Sequence, residues 1–165
     1  AGVFPALGVS GTFNRTNVQT PSAAAPCGNV PVNIDSSVAV PVNNGTVTLT
    51  AINFNGGTDG SRSFSAKISA DGTTNNMVPA QVITNGDVSP TGPGSQPIVV
   101  QMPNGIQCTG GQTGNLCLLA MVSAGGFGNC AVVSQGLAQL GAIAARSPQA
   151  DGTAGDSTDP TGDAT

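Results

Sequence analysis

Four cysteines, at positions 27, 108, 117 and 130, are spread through a chain of 165 residues that has no histidine, tryptophan or tyrosine. Hydrophobic residues make up 38% and are mostly Ala, Val, Leu and Ile, with five Phe as the only aromatic side chains. At ~25 cal/mol per Å² of apolar surface, side chains this small give a modest core, and covalent links then restrict the fold strongly. Four cysteines allow three pairings. Cys108 and Cys117 bracket the turn-rich run Thr-Gly-Gly-Gln-Thr-Gly-Asn-Leu, which can bring them together. The favoured pairing is therefore Cys108–Cys117, leaving Cys27–Cys130 to close a long loop. A four-thiolate zinc site is the rival, but it needs closely paired ligands such as Cys-x2-Cys, which these spacings lack.

Between the outer cysteines the chain carries short strand signals. Val38, Val40 and Val42 alternate with other residues, as do Val47, Leu49 and Ala51, on either side of Asn43-Asn-Gly45. Asn-Gly between alternating runs predicts a hairpin. Phe64, Ala66, Ile68 and Ala70 share one face of a further strand, which puts Lys67 on the outer face. More strands are expected near residues 78–84, 97–102, 116–123 and 130–135, with turns at Asn85-Gly86 and Asn104-Gly105. The run Leu116–Val122 barely alternates, which predicts a central strand covered on both faces. The expected fold is all-β, an antiparallel immunoglobulin-like sandwich of about seven strands with an irregular N-terminal segment.

Toward the C-terminus, Leu137, Leu140, Ile143 and Ala144 have helical spacing, and a short helix is expected there. The expected domain covers residues 1–147, and residues 148–165 read as an acidic flexible tail. Charged residues are only 7% of the chain. Residues 1–150 balance Arg15, Arg62, Lys67 and Arg146 against Asp35, Asp59, Asp71 and Asp87. The net charge of −4 thus comes from Asp151, Asp156, Asp159 and Asp163. A neutral body with scattered cations argues against nucleic acid and against anionic membranes as partners, and no segment is apolar enough for membrane insertion. Cysteines that pair, a Ser/Thr/Asn-rich surface and a first residue other than Met predict a secreted, extracellular or wall-bound chain whose leader has been removed.

The missing residue types also narrow the chemistry. Without histidine there is no Ser–His or Cys–His couple and no histidine-ligated copper site. Without glutamate, and with scattered aspartates, a carboxylate pair for glycoside hydrolysis is not expected. A Ser–Lys dyad would have to use Lys67, read here as a solvated strand residue. Asn55-Gly-Gly-Thr-Asp-Gly60 lacks the oxygen ladder that calcium needs and reads as a turn. The chain is thus expected to be no enzyme and to use no cofactor or metal. Two asparagines, Asn14 and Asn44, fit the N-glycosylation acceptor. Phe54 and Phe127 lie beside glycines and are candidates for exposed contact, as an aromatic ring face can stack on a sugar.

Cys108-Thr-Gly-Gly-Gln-Thr-Gly-Asn-Leu-Cys117, followed by Gly126-Phe-Gly-Asn-Cys130, resembles the C-terminal half of the fungal Egh-like virulence-factor family. Ala6-Leu-Gly8 and Arg15-Thr-Asn-Val-Gln19 look like that family's N-terminal segment. The resemblance spans roughly residues 6–135. It implies a secreted cell-surface protein linked to appressoria and host contact, and it carries no catalytic residues over. One departure is Leu118-Leu-Ala-Met-Val122, where the family pattern commonly has a further cysteine and basic residues. The expected function is a non-catalytic fungal surface or wall-associated protein. The alternatives are a self-assembling coat or filament subunit, in which the chain is its own partner, and a small glycan-binding module. A wall glycan or another surface protein is the expected partner otherwise.

Overall fold

The computed structural model of the protein describes residues 1–136. Among these residues eight strands form, in chain order: β1 (Gly2–Phe4), β2 (Ala39–Pro41), β3 (Thr46–Asn53), β4 (Phe64–Ser69), β5 (Val78–Thr84), β6 (Gly94–Gln101), β7 (Leu116–Ser123) and β8 (Gly128–Ser134). They lie in one sheet in the order β1-β3-β6-β5-β4-β7-β8-β2. All neighbours are antiparallel except β2 and β8, which run parallel. The all-β expectation holds, but the immunoglobulin-like pair of sheets is replaced by a single curled sheet with one strand more than expected. The physical reason lies in β5. Its first half pairs with β4 and its second half with β6, with a bulge between Val82 and Thr84. The change of partner between Ala80 and Gln81 lets the ladder turn a corner and stay continuous, and the register shift just beyond it adds local bend and twist.

The hairpin expected around Asn43-Asn-Gly45 forms only as a turn. Asn43 and Thr46 exchange both backbone hydrogen bonds (2.8 and 3.0 Å), and Asn44 and Gly45 both have positive φ (52° and 78°). Local chemistry thus makes the tight turn that Asn-Gly favours. The flanking strands then part: β3 pairs with β1 and β6, while β2 pairs with β8. The turn at Asn85 also does more than reverse the chain. Its side-chain oxygen accepts from Phe64 N at 2.8 Å, and its amide donates to Phe64 O at 2.9 Å, so it stands in for a strand neighbour.

Alternation sets the core. Val47, Leu49 and Ala51 of β3, Phe64, Ala66 and Ile68 of β4, and Ile98 and Val100 of β6 are buried inside the curl. On β7, Leu119 and Met121 face this core. Leu116, Leu118 and Ala120 belong to a second buried cluster with Leu7, Cys27, Ile34, Cys130 and Val132. The non-alternating run in β7 is therefore covered on both faces, as expected. Its outer cover is the irregular N-terminal segment, whose only regular pieces beyond β1 are 3-10 turns at Arg15–Asn17 and Ile34–Ser36.

Both disulfides have the expected pairing. Cys27–Cys130, separated by 103 residues, fixes the cover to β8, and Cys108–Cys117, separated by 9, ties the loop after β6 to β7. Residues Ala1–Ser134 make one compact unit. The expected helix at 136–145, the boundary at 147 and the acidic tail lie outside the described residues, apart from the first residue of that helix. No helix among the described residues is long and apolar enough to cross a membrane.

Asp71 closes the β4–β5 turn. Its carboxylate accepts from Ser69 Oγ (2.6 Å), Thr73 Oγ1 (2.7 Å) and Thr73 N (3.0 Å), and these bonds hold its pKa below the usual carboxylate value. A depressed folded-state pKa gives stability that is present above the unfolded pKa, about 3.9, and is lost as pH falls through the folded value. Asp71→Asn should therefore lower Tm slightly at pH 7, and the gap to wild type should close as pH drops below about 4. Thermal melts across pH 2–7 check this; a gap independent of pH would overturn the assignment.

Candidate functional site

Sheet curling brings sequence-distant aromatics to one place. The seam between β1 and β8 is closed by Asn129, buried at 1% exposure. Its side-chain oxygen accepts from Val3 N (3.2 Å), and its amide donates to Asn17 O (2.7 Å). Gln19 and Gly128 exchange backbone hydrogen bonds beside it (2.9 and 3.0 Å). A Cβ on Gly2 would meet Asn129 Oδ1 at 2.2 Å and the Phe13 ring at 2.5 Å, so only glycine lets the strand come this close. Next to the seam, Phe13 stacks on Phe54 (6.2 Å between centroids, 18° between planes) and meets Phe4 edge-on at 6.1 Å.

Phe54 and Phe127 line a shared hollow of about 200 Å³. Arg15, Val18, Asn55, Asp59 and Ala1 complete its wall. Phe54 follows β3, Asp59 lies in the 3-10 turn Thr58–Gly60, and Phe127 lies in the β7–β8 turn. The Gly126 φ of 87° and the bonds from Gly125 N and Phe127 N to Ser123 Oγ (3.3 and 3.4 Å) shape that last turn. The Ala1 amine donates to Asp59 O at 3.5 Å. Burial lowers its pKa from the ordinary value, and the nearby Asp59 carboxylate works in the opposite direction. The hollow thus offers two half-buried ring surfaces beside a guanidinium, an amide and a carboxylate. That set can stack on a small ring and hydrogen-bond to its rim.

Phe54 and Phe127, read from the sequence as separate loop aromatics, are both half-buried and meet in this hollow. Arg15, Asp59 and Asn129 carried no local signal for such a role; they are joined only by the seam. Asn14 and Asn44 are both exposed: Asn14 caps the Arg15–Asn17 turn, directly between Phe13 and the wall residue Arg15, and Asn44 sits in the Asn43–Thr46 turn. The four cysteines are structural, and each is bonded. Among the described residues, no group of three or more His, Cys, Asp or Glu could hold a metal ion.

The fold and its bridges define the class: an all-β body closed by two disulfides, one of them in the Cys108–Cys117 segment. The family model of the Egh16-like virulence factor matches residues 10–128, and the chain belongs to this family. Neither a curated protein nor a solved structure matches it.

Proposed function

We propose that this protein acts outside the cell as a non-catalytic surface or wall-associated protein, at the contact between a fungus and its surroundings. The family supports a virulence-associated role. The observation that carries the extracellular reading is the Cys27–Cys130 bridge, which holds a largely irregular cover on β7 and β8. Such a bridge persists in oxidising compartments and is lost in the cytosol. Antibody labelling of intact, non-permeabilised cells of the source organism should detect the protein at the surface or in the medium. Signal confined to permeabilised cells would overturn the reading. Intact mass before and after glycosidase treatment should also reveal N-glycans, for which Asn14 and Asn44 are the acceptors.

The aromatic hollow favours glycan binding as a second reading. Its size suits one sugar ring rather than a chain, being below the roughly 300 Å³ of pockets for larger ligands. Phe127→Ala should reduce retention on insoluble β-glucan or chitin about tenfold, equivalent to ~1.4 kcal/mol. Equal retention of variant and wild type, or no retention of either, would remove this reading without touching the extracellular one. Self-assembly by edge pairing draws less support. The edge strands, Gly2–Phe4 and Ala39–Pro41, have three residues each, and short edges limit pairing between sheets. A single mass across a concentration series in light scattering is the expected result.

A further inference from the structure

A trough of about 520 Å³ lies between the cover and the outer face of β4 and β7. Pro21, Ala23 and Pro26 of the cover form one side, Ala120 and Val122 of β7 contribute from the sheet, and Met77 comes from the end of the β4–β5 turn. Further along the same face of β7, Leu116 and Leu118 are packed under Leu7, Cys27 and Ile34. At Ala120 the strand carries a small side chain, and the cover leaves the trough beside it.

Lys67 lines this trough and is exposed. Its cross-strand neighbours are Ala120 on β7 and Pro79 on β5, neither of which can accept a hydrogen bond from its ammonium through a side chain. Among the described residues, no acidic residue lines the trough. Among the described residues the site therefore combines a mostly apolar wall, the hydroxyls of Ser22, Ser65 and Thr74, and one positive charge, in a volume within the range of small-molecule pockets. Its lining shares no residue with the aromatic hollow.

We propose that this trough binds an alkyl carboxylate. The chain lies against Pro21, Pro26, Met77, Ala120 and Val122, and the carboxylate pairs with Lys67 Nζ. The apolar wall supplies affinity that grows with chain length, by up to about fourfold per methylene when fully buried. The lysine supplies the preference for an anionic head group. As the ammonium is solvated, that preference is modest, about threefold to fivefold.

Titration calorimetry on the full chain, with each probe kept below its micelle concentration, tests the proposal. Dodecanoate should bind saturably, and better than dodecanol or dodecylammonium. Lys67→Met keeps the apolar stem and should cut dodecanoate affinity about threefold to fivefold while leaving dodecanol unchanged. Ala23→Trp, at an exposed position of the cover, should weaken all three probes by filling the trough. The proposal is overturned if dodecanoate does not bind wild type, if dodecylammonium binds as well as dodecanoate, or if Lys67→Met binds dodecanoate as wild type does. Far-ultraviolet circular dichroism of both variants confirms that a loss of binding is not a loss of fold.

Discussion

Replacing Cys27 and Cys130 together by alanine should destabilise the protein by about 5 kcal/mol, nearly twice the effect of replacing Cys108 and Cys117. In the chain-entropy model, a closed loop of about 100 residues contributes ~4.7 kcal/mol and one of about 10 residues ~2.7 kcal/mol. The observed separations are 103 and 9. The long bridge also sits in the second buried cluster, where it joins Leu7 and Ile34 to Leu118 and Val132. At about 2–4 °C per kcal/mol for a chain of this size, the long-bridge variant should melt some 10–20 °C below wild type. The short-bridge variant should fall by roughly half as much. Calorimetry of both variants reads the difference, and limited proteolysis should cut the long-bridge variant first within residues 19–33. Equal melting shifts would show that the long bridge adds nothing beyond a local link.

Asn129→Ala should cost about 2–4 kcal/mol. Asn129 is fully enclosed and serves two backbone groups from different parts of the chain, Val3 N and Asn17 O. Truncation leaves both without that partner, and each buried unsatisfied polar group costs about 1–3 kcal/mol. The damage should concentrate at the β1–β8 seam. Hydrogen exchange should therefore speed up at Val3 and in residues 13–19 while the β3–β6 ladder stays protected. Since Arg15 and Val18 wall the aromatic hollow, the same variant should also retain less on β-glucan or chitin if the hollow is the glycan site proposed above. Uniform acceleration of exchange across β3 and β6 would show that Asn129 supports the whole core rather than the seam.

Where local pattern decided the outcome, the sequence was a sufficient guide. Alternation in residues 46–52 and 64–69 placed Val47, Leu49, Phe64 and Ile68 in the core. The unbroken apolar run of β7 announced a strand covered on both faces, and cysteine spacing announced both bridges. Pairing partners were a different matter. Asn44 and Gly45 determine their own turn, but they do not hold the flanking strands together once β1, β6 and β8 compete for those edges. The single curled sheet follows from β5 dividing its pairing between β4 and β6, a tertiary choice that the pattern of Val78–Thr84 does not mark.

The candidate site divides in the same way. Its aromatic members could be named from the glycines beside Phe54 and Phe127. Their meeting with Arg15, Asn55 and Asp59 depends on Asn129 and Gly2, whose roles exist only when β1 lies against β8. The sequence by itself determined the chemistry available: two covalent bridges, no imidazole, small apolar side chains in period-two runs, and a neutral body. Tertiary structure alone decided which surfaces that chemistry would share. Side-chain periodicity and turn residues act over a few neighbouring positions, whereas the seam, the hollow and the Lys67 trough each join segments whose distance in sequence carries no local energetic signal.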